Sequence, residues 1–397
     1  MNNPRIEVDL GRLRQNVRAI VALCREQGIS LAGVTKAFLA MPEIAQAYVD
    51  GGCSYLADAR IENLKKLGDL GLPRMMLRQP MMSEVEEVVR HTEISLNSEL
   101  VTLVLMNQAA EKLGVIHEVI MMMDLGDLRE GYYDEYELFD AIEVILRDMP
   151  HIRIIGVGVN LSCFGGVIPD DFNLLRLATI GRYIQRKYDL ELQLFSGGNS
   201  SSLYMVMAGE MVEGINNLRI GEAFFTGYET AYGERIAGTA GRVFTLVAEV
   251  IELKTKASQP TGTLGQNAFG EMPIFEDKGM RRVAICALGR QDVSVDKLTP
   301  RDPRITIIGS SSDHVILDFT ETDEAYQVGS EIRFDMTYSA ILSAMTSPYV
   351  HKEMIEGAAD EIEDIHEEAE EDAEETATEI GSEEPPIQLK AAGRRGA

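Results

Sequence analysis

The stretch "SLAGVTKAFLAMPEIAQAYVDGGCSYLADA", residues 30–59, decides the fold class of this chain. It begins with the apolar run "SLAGVTK", continues through "MPEIAQAYVDGG" with helical periodicity, and ends with a second apolar run, "CSYLADA". A strand buried on both faces of a parallel sheet is apolar almost throughout, and its parallel neighbour requires a crossover helix. The stretch therefore predicts a strand–helix–strand unit, whose first strand ends on a lone lysine, Lys36.

The same alternation continues along the chain. The later predicted strands are "RMMLRQP", "EISLNS", "EVIMMMDLG", "IRIIGVGVNLS", "ELQLFSGG" and "NLRIGEAFF", and predicted helices such as "ELVTLVLMNQAAEKLG" and "EYELFDAIEVILRDM" lie between them. Eight strands alternating with helices over about two hundred residues are typical of a (β/α)8 TIM-like barrel. A doubly wound open sheet is the alternative, less favoured because no GxGxxG turn follows the first strand.

The pattern changes after residue 235. The segments "AGRVFTLVAEVIELKTK", "MRRVAICALG", "RITIIGSSSDHVILDF" and "SEIRFDMTYSAIL" are β-rich and separated by Gly, Pro and Asp turns. They predict a second, mainly antiparallel β domain. We therefore expect an N-terminal strand over residues 1–9 that joins the β domain, a barrel over 10–234, the β domain over 235–354, and an acidic tail over 355–397.

The tail is the most acidic part of the chain. From residue 356 onward it holds fifteen acidic residues against three basic ones. Its few apolar residues cannot bury enough surface to offset the entropy of ordering, so we expect a solvated, disordered segment. An acidic segment that docks on a partner is the alternative.

Composition excludes several functional classes. The net charge of −27 argues against nucleic-acid binding. No run approaches twenty apolar residues, and the N-terminus lacks the apolar region of a secretory signal, so neither a membrane span nor secretion is expected. The four cysteines form no CxxC pair, which argues against a zinc site or a disulfide framework and favours the cytoplasm.

Polar side chains follow several of the predicted barrel strands. In a parallel barrel these strand ends meet at one mouth, where active residues gather. The residues at these ends are Lys36, Asp124, Arg129, Asn160, Cys163, Asn199 to Ser202, and Arg219. The sequence therefore predicts an active site at this mouth.

The turn "SGGNSSSLY", residues 196–204, favours an anion there. Glycines let the backbone approach a ligand, hydroxyls donate hydrogen bonds, and a helix N-terminus attracts negative charge. An ordinary capped turn is the alternative. Together with a lysine at a strand end, the turn indicates pyridoxal phosphate, with its aldehyde on the lysine and its phosphate at the turn.

This arrangement resembles the alanine-racemase-like family of pyridoxal-phosphate enzymes, which combine a barrel with a β domain, over nearly all of the chain before the tail. The family's cofactor lysine stands in a context similar to "GVTKA" and corresponds to Lys36. The family pattern DTGMxRxG corresponds to "DLGDLREG", which implies that Arg129 holds the substrate carboxylate.

Two further motifs place the cofactor by the same resemblance. The family's Asn-Ser phosphate turn corresponds to Asn199 and Ser200. Its RPGI motif corresponds to "RIGE", which places Arg219 at the pyridine nitrogen and Gly221 near the phosphate. The resemblance thus implies a cofactor-binding set of Lys36, Asn160, Asn199, Ser200, Ser201, Arg219, Gly221 and Tyr338.

The residue at the pyridine nitrogen bears on the reaction. Related decarboxylases place a carboxylate there, which keeps the nitrogen protonated, whereas an arginine does not give up its proton. Arg219 therefore favours simple return of the α-proton, as in a racemase. Longer blocks, including "ADARIENLKKL", "GVNLSCFGGVIP" and "GSSSDHVILD", are similar to ornithine racemases of this superfamily. We expect interconversion of L- and D-ornithine by two-base α-proton exchange.

Three alternatives stay open at this point. One is a racemase of the same mechanism that acts on lysine, alanine or serine. Another is a decarboxylase of the same fold. The third is a non-catalytic pyridoxal-phosphate-binding protein, against which the β-rich segment counts.

The second base is where this sequence departs from the family. A tyrosine from the partner subunit usually serves the opposite face of the substrate, but "ALGRQDVS" has Arg290 or Gln291 at that place, and the tyrosine four residues after the lysine is replaced by Ala40. The candidates for the second base are Cys163, Asp292, Ser312, His314 and Tyr338. The resemblance implies a homodimer with shared active sites, in which Asp313 reaches across the interface to the distal ammonium of ornithine; an exposed strand-edge aspartate is the alternative.

Overall fold

The computed structural model describes residues 2–322 and 325–357 of the chain. Its strands begin with β1 (Arg5–Asp9), β2 (Ser30–Val34), β3 (Tyr55–Asp58), β4 (Arg74–Met76), β5 (Ile94–Asn97), β6 (His117–Met123), β7 (Ile152–Val159), β8 (Leu194–Ser196) and β9 (Asn217–Ile220). Strands β2 to β9 form a closed parallel barrel in chain order, and β9 pairs with β2 to close it. The TIM-like barrel predicted from the sequence is confirmed.

Helices surround the barrel. They are α1 (Leu10–Arg25), α2 (Pro42–Gly51), α3 (Ile61–Leu64), α4 (Val85–His91), α5 (Leu100–Leu113), α6 (Glu135–Asp148), α7 (Asp171–Tyr188), α8 (Leu203–Ala208) and α9 (Glu222–Thr226). Helix α1 shows why the sequence folds this way. The Asp9 carboxylate caps its first turn by accepting a hydrogen bond from the Arg12 N–H. Its residues Leu13, Val17 and Ile20 recur at helical spacing and are fully buried.

Alternate residues of each barrel strand face inward and outward. The barrel interior is filled by a separate apolar cluster that includes Ala32, Met75, Leu96, Ile120 and Met122. Neighbouring residues on the same strands face the helices and belong to the main core. The barrel is therefore a packed support for its rim.

A buried polar group lies on the helix-facing side of this sheet. The His117 side chain is 1% exposed, and its Nε2 lies 2.9 Å from the Ser95 Oγ. The Asn97 amide donates to the same hydroxyl over 2.7 Å.

The remaining strands form a second sheet. They are β10 (Phe244–Ala257), β11 (Met280–Cys286), β12 (Leu298–Pro300), β13 (Thr306–Ser310), β14 (Val315–Asp318), β15 (Glu331–Met336) and β16 (His351–Ile355). Their order is β12-β15-β10-β11-β14-β13, with every pair antiparallel. Strand β1 joins this sheet, antiparallel to β10 and parallel to β16. The mainly antiparallel β domain is thus confirmed.

An ion-pair network ties β1 into the second sheet. The Arg5 side chain is 2% exposed and donates to Glu7 over 2.8 Å and to Glu331 over 2.7 Å. Arg333 of β15 pairs with Glu7 from the other side. A buried arginine with carboxylate partners avoids the cost of an unpaired buried charge.

One local prediction in this part of the chain is wrong. The segment "SEIRFDMTYSAIL" was predicted to be β-rich, but the strand ends at Met336 and α10 (Tyr338–Thr346) follows. The residues Ala340, Ile341, Ala344 and Met345 are buried at helical spacing on one face of α10. Packing of that face against the core overrides the β-propensity of the run.

The described residues contain no helix that is long and apolar enough to cross a membrane. The predicted disordered tail, residues 355–397, lies outside the described residues from 358 onward. The predicted domain boundaries stay predictions.

Candidate active site

A cavity of about 700 Å³ opens at the carboxyl ends of the barrel strands. Most of its lining comes from the loops that follow these strands, with one residue from α10. The lining residues are Val34, Lys36, Ala59, Leu77, Arg78, Gln79, Arg129, Glu130, Asn160, Ser162, Cys163, Asn199, Ser200, Arg219, Gly221, Glu222, Thr230 and Tyr338. Nine of the residues predicted from the sequence therefore share one cavity: Lys36, Arg129, Asn160, Cys163, Asn199, Ser200, Arg219, Gly221 and Tyr338.

Lys36 follows β2 at the start of a short 3-10 turn. Its side chain is exposed to the cavity and makes no hydrogen bond or ion pair with any residue that the structure describes. The turn is followed by two residues in the left-handed region, Leu39 at φ 56° and Ala40 at φ 50°. The backbone therefore changes direction directly after the turn that contains Lys36.

The residue before Lys36 is fixed by hydrogen bonds to a buried carboxylate. The Thr35 hydroxyl donates to the buried Asp58 carboxylate over 2.7 Å. Asn63 also donates to Asp58, at 3.2 Å, and burial raises the pKa of the Asp58 carboxyl. These bonds fix the backbone from which the lysine side chain extends.

The turn after β8 contains a buried donor with nothing to bind. The Asn199 side-chain Oδ1 accepts from the Ser201 N–H over 2.9 Å, and the Ser200 Oγ accepts from the Ala223 N–H over 3.3 Å. The Ser201 hydroxyl is fully buried and has no hydrogen-bond partner among the described residues. An unsatisfied buried hydroxyl is costly, so this turn is suited to an anionic ligand.

Gly221 contributes space beside this turn. It follows β9, whose residue Ile220 pairs with Gly33 of β2. A Cβ at Gly221 would lie 3.2 Å from the Val34 Cβ, which is tight, so glycine permits the close approach of the two chain segments.

Arg219 is the buried cation of the site. Its guanidinium donates to the Ser196 Oγ, to the Val159 backbone carbonyl over 2.7 Å and to the Asn160 side-chain Oδ1 over 2.5 Å. Burial lowers the pKa of Arg219 to about 10, so it stays protonated at neutral pH.

Arg129 and Arg219 are connected through two side chains. Arg129 forms an ion pair with its neighbour Glu130, using its Nε and its Nη2. The Asn160 amide nitrogen donates to Glu130, and its carbonyl oxygen accepts from Arg219. Hydrogen bonds from Arg129 lower the pKa of Glu130 against the effect of burial. The Arg129 Nη1 has no hydrogen-bond partner in the described part of the chain.

Three more groups line the cavity together with the lysine. Cys163 is exposed, and its Sγ lies 3.5 Å from the Asn199 amide nitrogen. Burial raises the pKa of Tyr338 well above its usual range. Burial also raises the pKa of Glu222, while the charge of Lys36 acts in the opposite direction.

The structure does not bring the other predicted residues to this cavity within one chain. The Asp292 carboxylate is buried and accepts from the Gly289 N–H and the Ser347 hydroxyl. Ser312 and Asp313 lie in the turn between β13 and β14, where the Asp313 side chain is 70% exposed and contacts His314. A role for these residues needs a second copy of the chain, and it stays a prediction.

Sequence reasoning missed several lining residues, among them Arg78, Gln79, Glu130, Glu222 and Thr230. Glu130 and Glu222 stand directly beside Arg129 and Gly221 in the motifs "DLREG" and "RIGE". Their position next to a strand-end motif could have indicated that these two charged residues line the site.

The residues present fit pyridoxal phosphate. An unpartnered amine is available for an aldehyde, an unsatisfied buried hydroxyl for a phosphate, and a protonated guanidinium for a ring nitrogen. No cluster of histidine, cysteine and carboxylate side chains that would hold a metal ion occurs in the described residues.

The family model described as alanine racemase, N-terminal domain, matches residues 8–229. An ornithine racemase of Acetoanaerobium sticklandii is 46% identical over 89% of this chain and 99% of its own length. A lysine racemase of Thermotoga maritima is 37% identical over 88% of this chain and 98% of its own.

Solved structures share the fold at low sequence identity. An alanine racemase of Clostridium difficile 630 has a TM-score of 0.70 at 18% identity, covering 90% of this chain and 97% of its own. An alanine racemase of Bartonella henselae with covalently bound pyridoxal phosphate has a TM-score of 0.67 at 18% identity, covering 88% of this chain and 99% of its own.

Proposed function

This chain belongs to the family described as alanine racemase, N-terminal domain, and on that premise we propose that it racemises ornithine with pyridoxal phosphate as its cofactor. The observation that carries the proposal is the cavity that brings Lys36, Ser200 and Arg219 together at the mouth of the barrel, where the Lys36 amine has no partner among the described residues. The Ser201 hydroxyl, which is buried in the same turn as Ser200, likewise has no partner in the described part of the chain. The relatives named as racemases of ornithine and lysine cover nearly the same part of the chain. Ornithine is preferred because that relative is the more identical, and lysine is the second candidate.

Each end of the cofactor has a residue to hold it. Lys36 would bind the aldehyde covalently, Ser200 and Ser201 would bind the phosphate, and Arg219 would face the ring nitrogen. Asn199, Asn160, Gly221 and Tyr338 complete the proposed cofactor site. Bound there, the cofactor supplies an electron-accepting ring that makes the substrate's α-proton acidic.

The chain's own residues do the positioning and the proton transfer. The free Nη1 of Arg129 holds the substrate carboxylate, and Glu130 and Asn160 fix that guanidinium from behind. Lys36 carries the α-proton at its Nζ on one face of the substrate. Arg219 remains protonated and so delivers no proton to the atom that it faces, which favours return of the proton to the α-carbon.

The second face requires another group. Cys163 and Tyr338 share the cavity with Lys36, so for these two candidates one chain is enough. Asp292 and Ser312 would act only from a second copy, in a homodimer with shared active sites. The buried Asp292 carboxylate is already engaged by two donors, which favours Cys163 and Ser312 over it.

The four cysteines are all free. Unpaired cysteines are usual in reducing compartments, which supports the proposal that the protein acts in the cytoplasm.

The test is α-proton exchange. Purified protein with added pyridoxal phosphate is incubated with L-ornithine, L-lysine, L-alanine and L-serine in D₂O, and chirality and α-deuteration are followed. We expect racemisation with deuterium incorporation, fastest for ornithine. Release of CO₂ would indicate a decarboxylase, and absence of exchange with every amino acid would indicate a binding protein.

The Lys36→Ala variant tests the cofactor site. It should lose both racemisation and the visible absorbance of the bound cofactor, whereas Lys112→Ala, on the outer helix α5, should keep both. Retained absorbance in Lys36→Ala would refute the assignment of Lys36.

A further inference from the structure

Glu222 is an acidic residue that lines the cavity. It follows Gly221 at the start of α9 and is half-buried. Its carboxylate accepts no hydrogen bond and forms no ion pair within residues 2–322 and 325–357. Lys36 is close enough to affect its pKa, yet the two charged groups do not lie within ion-pair distance.

The other acidic lining residue is different. Glu130 is already bound by Arg129 and by the Asn160 amide, so its charge is neutralised inside the chain. A carboxylate removed from water is costly unless a positive partner compensates for it. Among the described residues that line the cavity, Glu222 is therefore the acidic side chain whose negative charge is not compensated by a partner.

The groups of an amino-acid substrate can be assigned one by one. Under the proposed function, the α-carboxylate is held by Arg129 and the α-carbon faces Lys36. Ornithine and lysine each carry one further charge, a distal ammonium. The remaining cations of the cavity, Arg78 and Arg219, already donate to acceptors of the chain and would repel an ammonium.

From this charge balance we infer that Glu222 binds the distal ammonium of the substrate and so selects diamino acids. The inference rests on the proposed function and names its specificity residue. It differs from the prediction for Asp313, because Glu222 acts from the same chain as Lys36. A carboxylate in the first turn of a helix is also stabilised by the helix dipole. The experiment must therefore distinguish substrate binding by Glu222 from this purely structural role.

The experiment compares substrates with and without the distal amine. Racemisation of ornithine and of norvaline, which is ornithine without that amine, is measured for the wild type, Glu222→Gln and Asp313→Asn. Glu43→Gln, a solvent-facing carboxylate in the first turn of α2, is the matched control. We expect Glu222→Gln to lower kcat/KM for ornithine by roughly 10- to 100-fold, mainly through KM, as loss of a hydrogen bond to a charged group does. Norvaline should be turned over as well as before.

A second variant tests the geometry. Glu222→Asp draws the carboxylate back by one methylene, so the preference should shift from ornithine toward lysine, whose side chain is one methylene longer. An equal loss for ornithine and norvaline in Glu222→Gln would overturn the inference, since it would show a catalytic or structural role. An ornithine-specific loss in Asp313→Asn with none in Glu222→Gln would also overturn it.

Equilibrium binding separates this inference from the proposed function. If the wild type exchanges no α-proton with any amino acid, the proposed function fails, and binding of ornithine and norvaline is measured by calorimetry instead. A preference for ornithine that Glu222→Gln abolishes and Glu43→Gln retains would still support the ammonium site. Equal binding of the two ligands by the wild type would overturn it.

Discussion

Replacement of His117 should change how stability depends on pH. The imidazole is 1% exposed between the barrel and its helices, and burial lowers its pKa to about 4. In the unfolded chain the pKa of a histidine is about 6.5. Between these two values the unfolded chain takes up a proton that the folded chain does not bind. The contribution of His117 to the free energy of unfolding is therefore fully present above pH 6.5 and is lost as the pH falls toward 4.

The size of the effect follows from the gap between the two pKa values. At about 1.4 kcal/mol per pKa unit, the gap is worth about 3 kcal/mol in the free energy of unfolding. Glutamine places an amide near the Ser95 hydroxyl and does not titrate. The stability advantage of the wild type over His117→Gln should therefore shrink by about 3 kcal/mol between pH 7 and pH 4.

The assay is urea unfolding followed by far-ultraviolet circular dichroism at several pH values across this range. Comparison with the variant removes the contribution of carboxyl groups that titrate in the same window. His351→Gln, at an exposed position on β16, is the control. A difference between the wild type and His117→Gln that is the same at every pH would refute the reasoning.

Three further predictions concern the site and the second sheet. Gly131→Ala should lower kcat/KM by roughly 10- to 100-fold, because its Cβ would lie 2.3 Å from the Met123 carbonyl carbon and displace the Arg129 loop; Gly126→Ala, also at positive φ but with open space around it, is the kinetic control. Cys163→Ser should slow α-exchange by roughly 10²- to 10⁴-fold if the thiol serves the second face, and wild-type rates in both directions would exclude Cys163. The pKa of Glu331 is lowered to about 2 by hydrogen bonds from Arg5, so its stabilisation is present above pH 4.5 and is lost as the pH falls toward 2. The difference in Tm between the wild type and Glu331→Gln should therefore shrink from pH 6 to pH 3, and an unchanged difference would contradict this role.

The barrel was predictable because its strands are short apolar runs that alternate with helical periodicity. The residues that end these strands, Lys36, Arg129 and Arg219 among them, could be placed at one mouth because parallel strands point the same way. The apolar runs and the helical periodicity between them were enough for both conclusions. These patterns indicate which segments are buried and that successive strands run in the same direction.

Other features could not be predicted because they depend on contacts between distant segments. Helix α10 lies in a segment predicted to be β-rich, because only the packing of Ala340 and Ile341 against the core distinguishes a helix from a strand there. The neutralised Glu130 and the unpartnered Glu222 look alike in the sequence. Their difference lies in which side chains surround them in the folded barrel.

The cavity is assembled from both ends of the chain, and this has a consequence for how the protein is made. Lys36 lies beside Gly221 because β9 pairs with β2, and Tyr338 reaches the cavity from α10, which packs against the turn that contains Lys36. Contacts of such high sequence separation form late, and synthesis proceeds from the N-terminus. The lysine therefore leaves the ribosome roughly three hundred residues before its last neighbour. A chain cut short after the barrel would carry the Lys36 amine without Tyr338, which lines the same cavity.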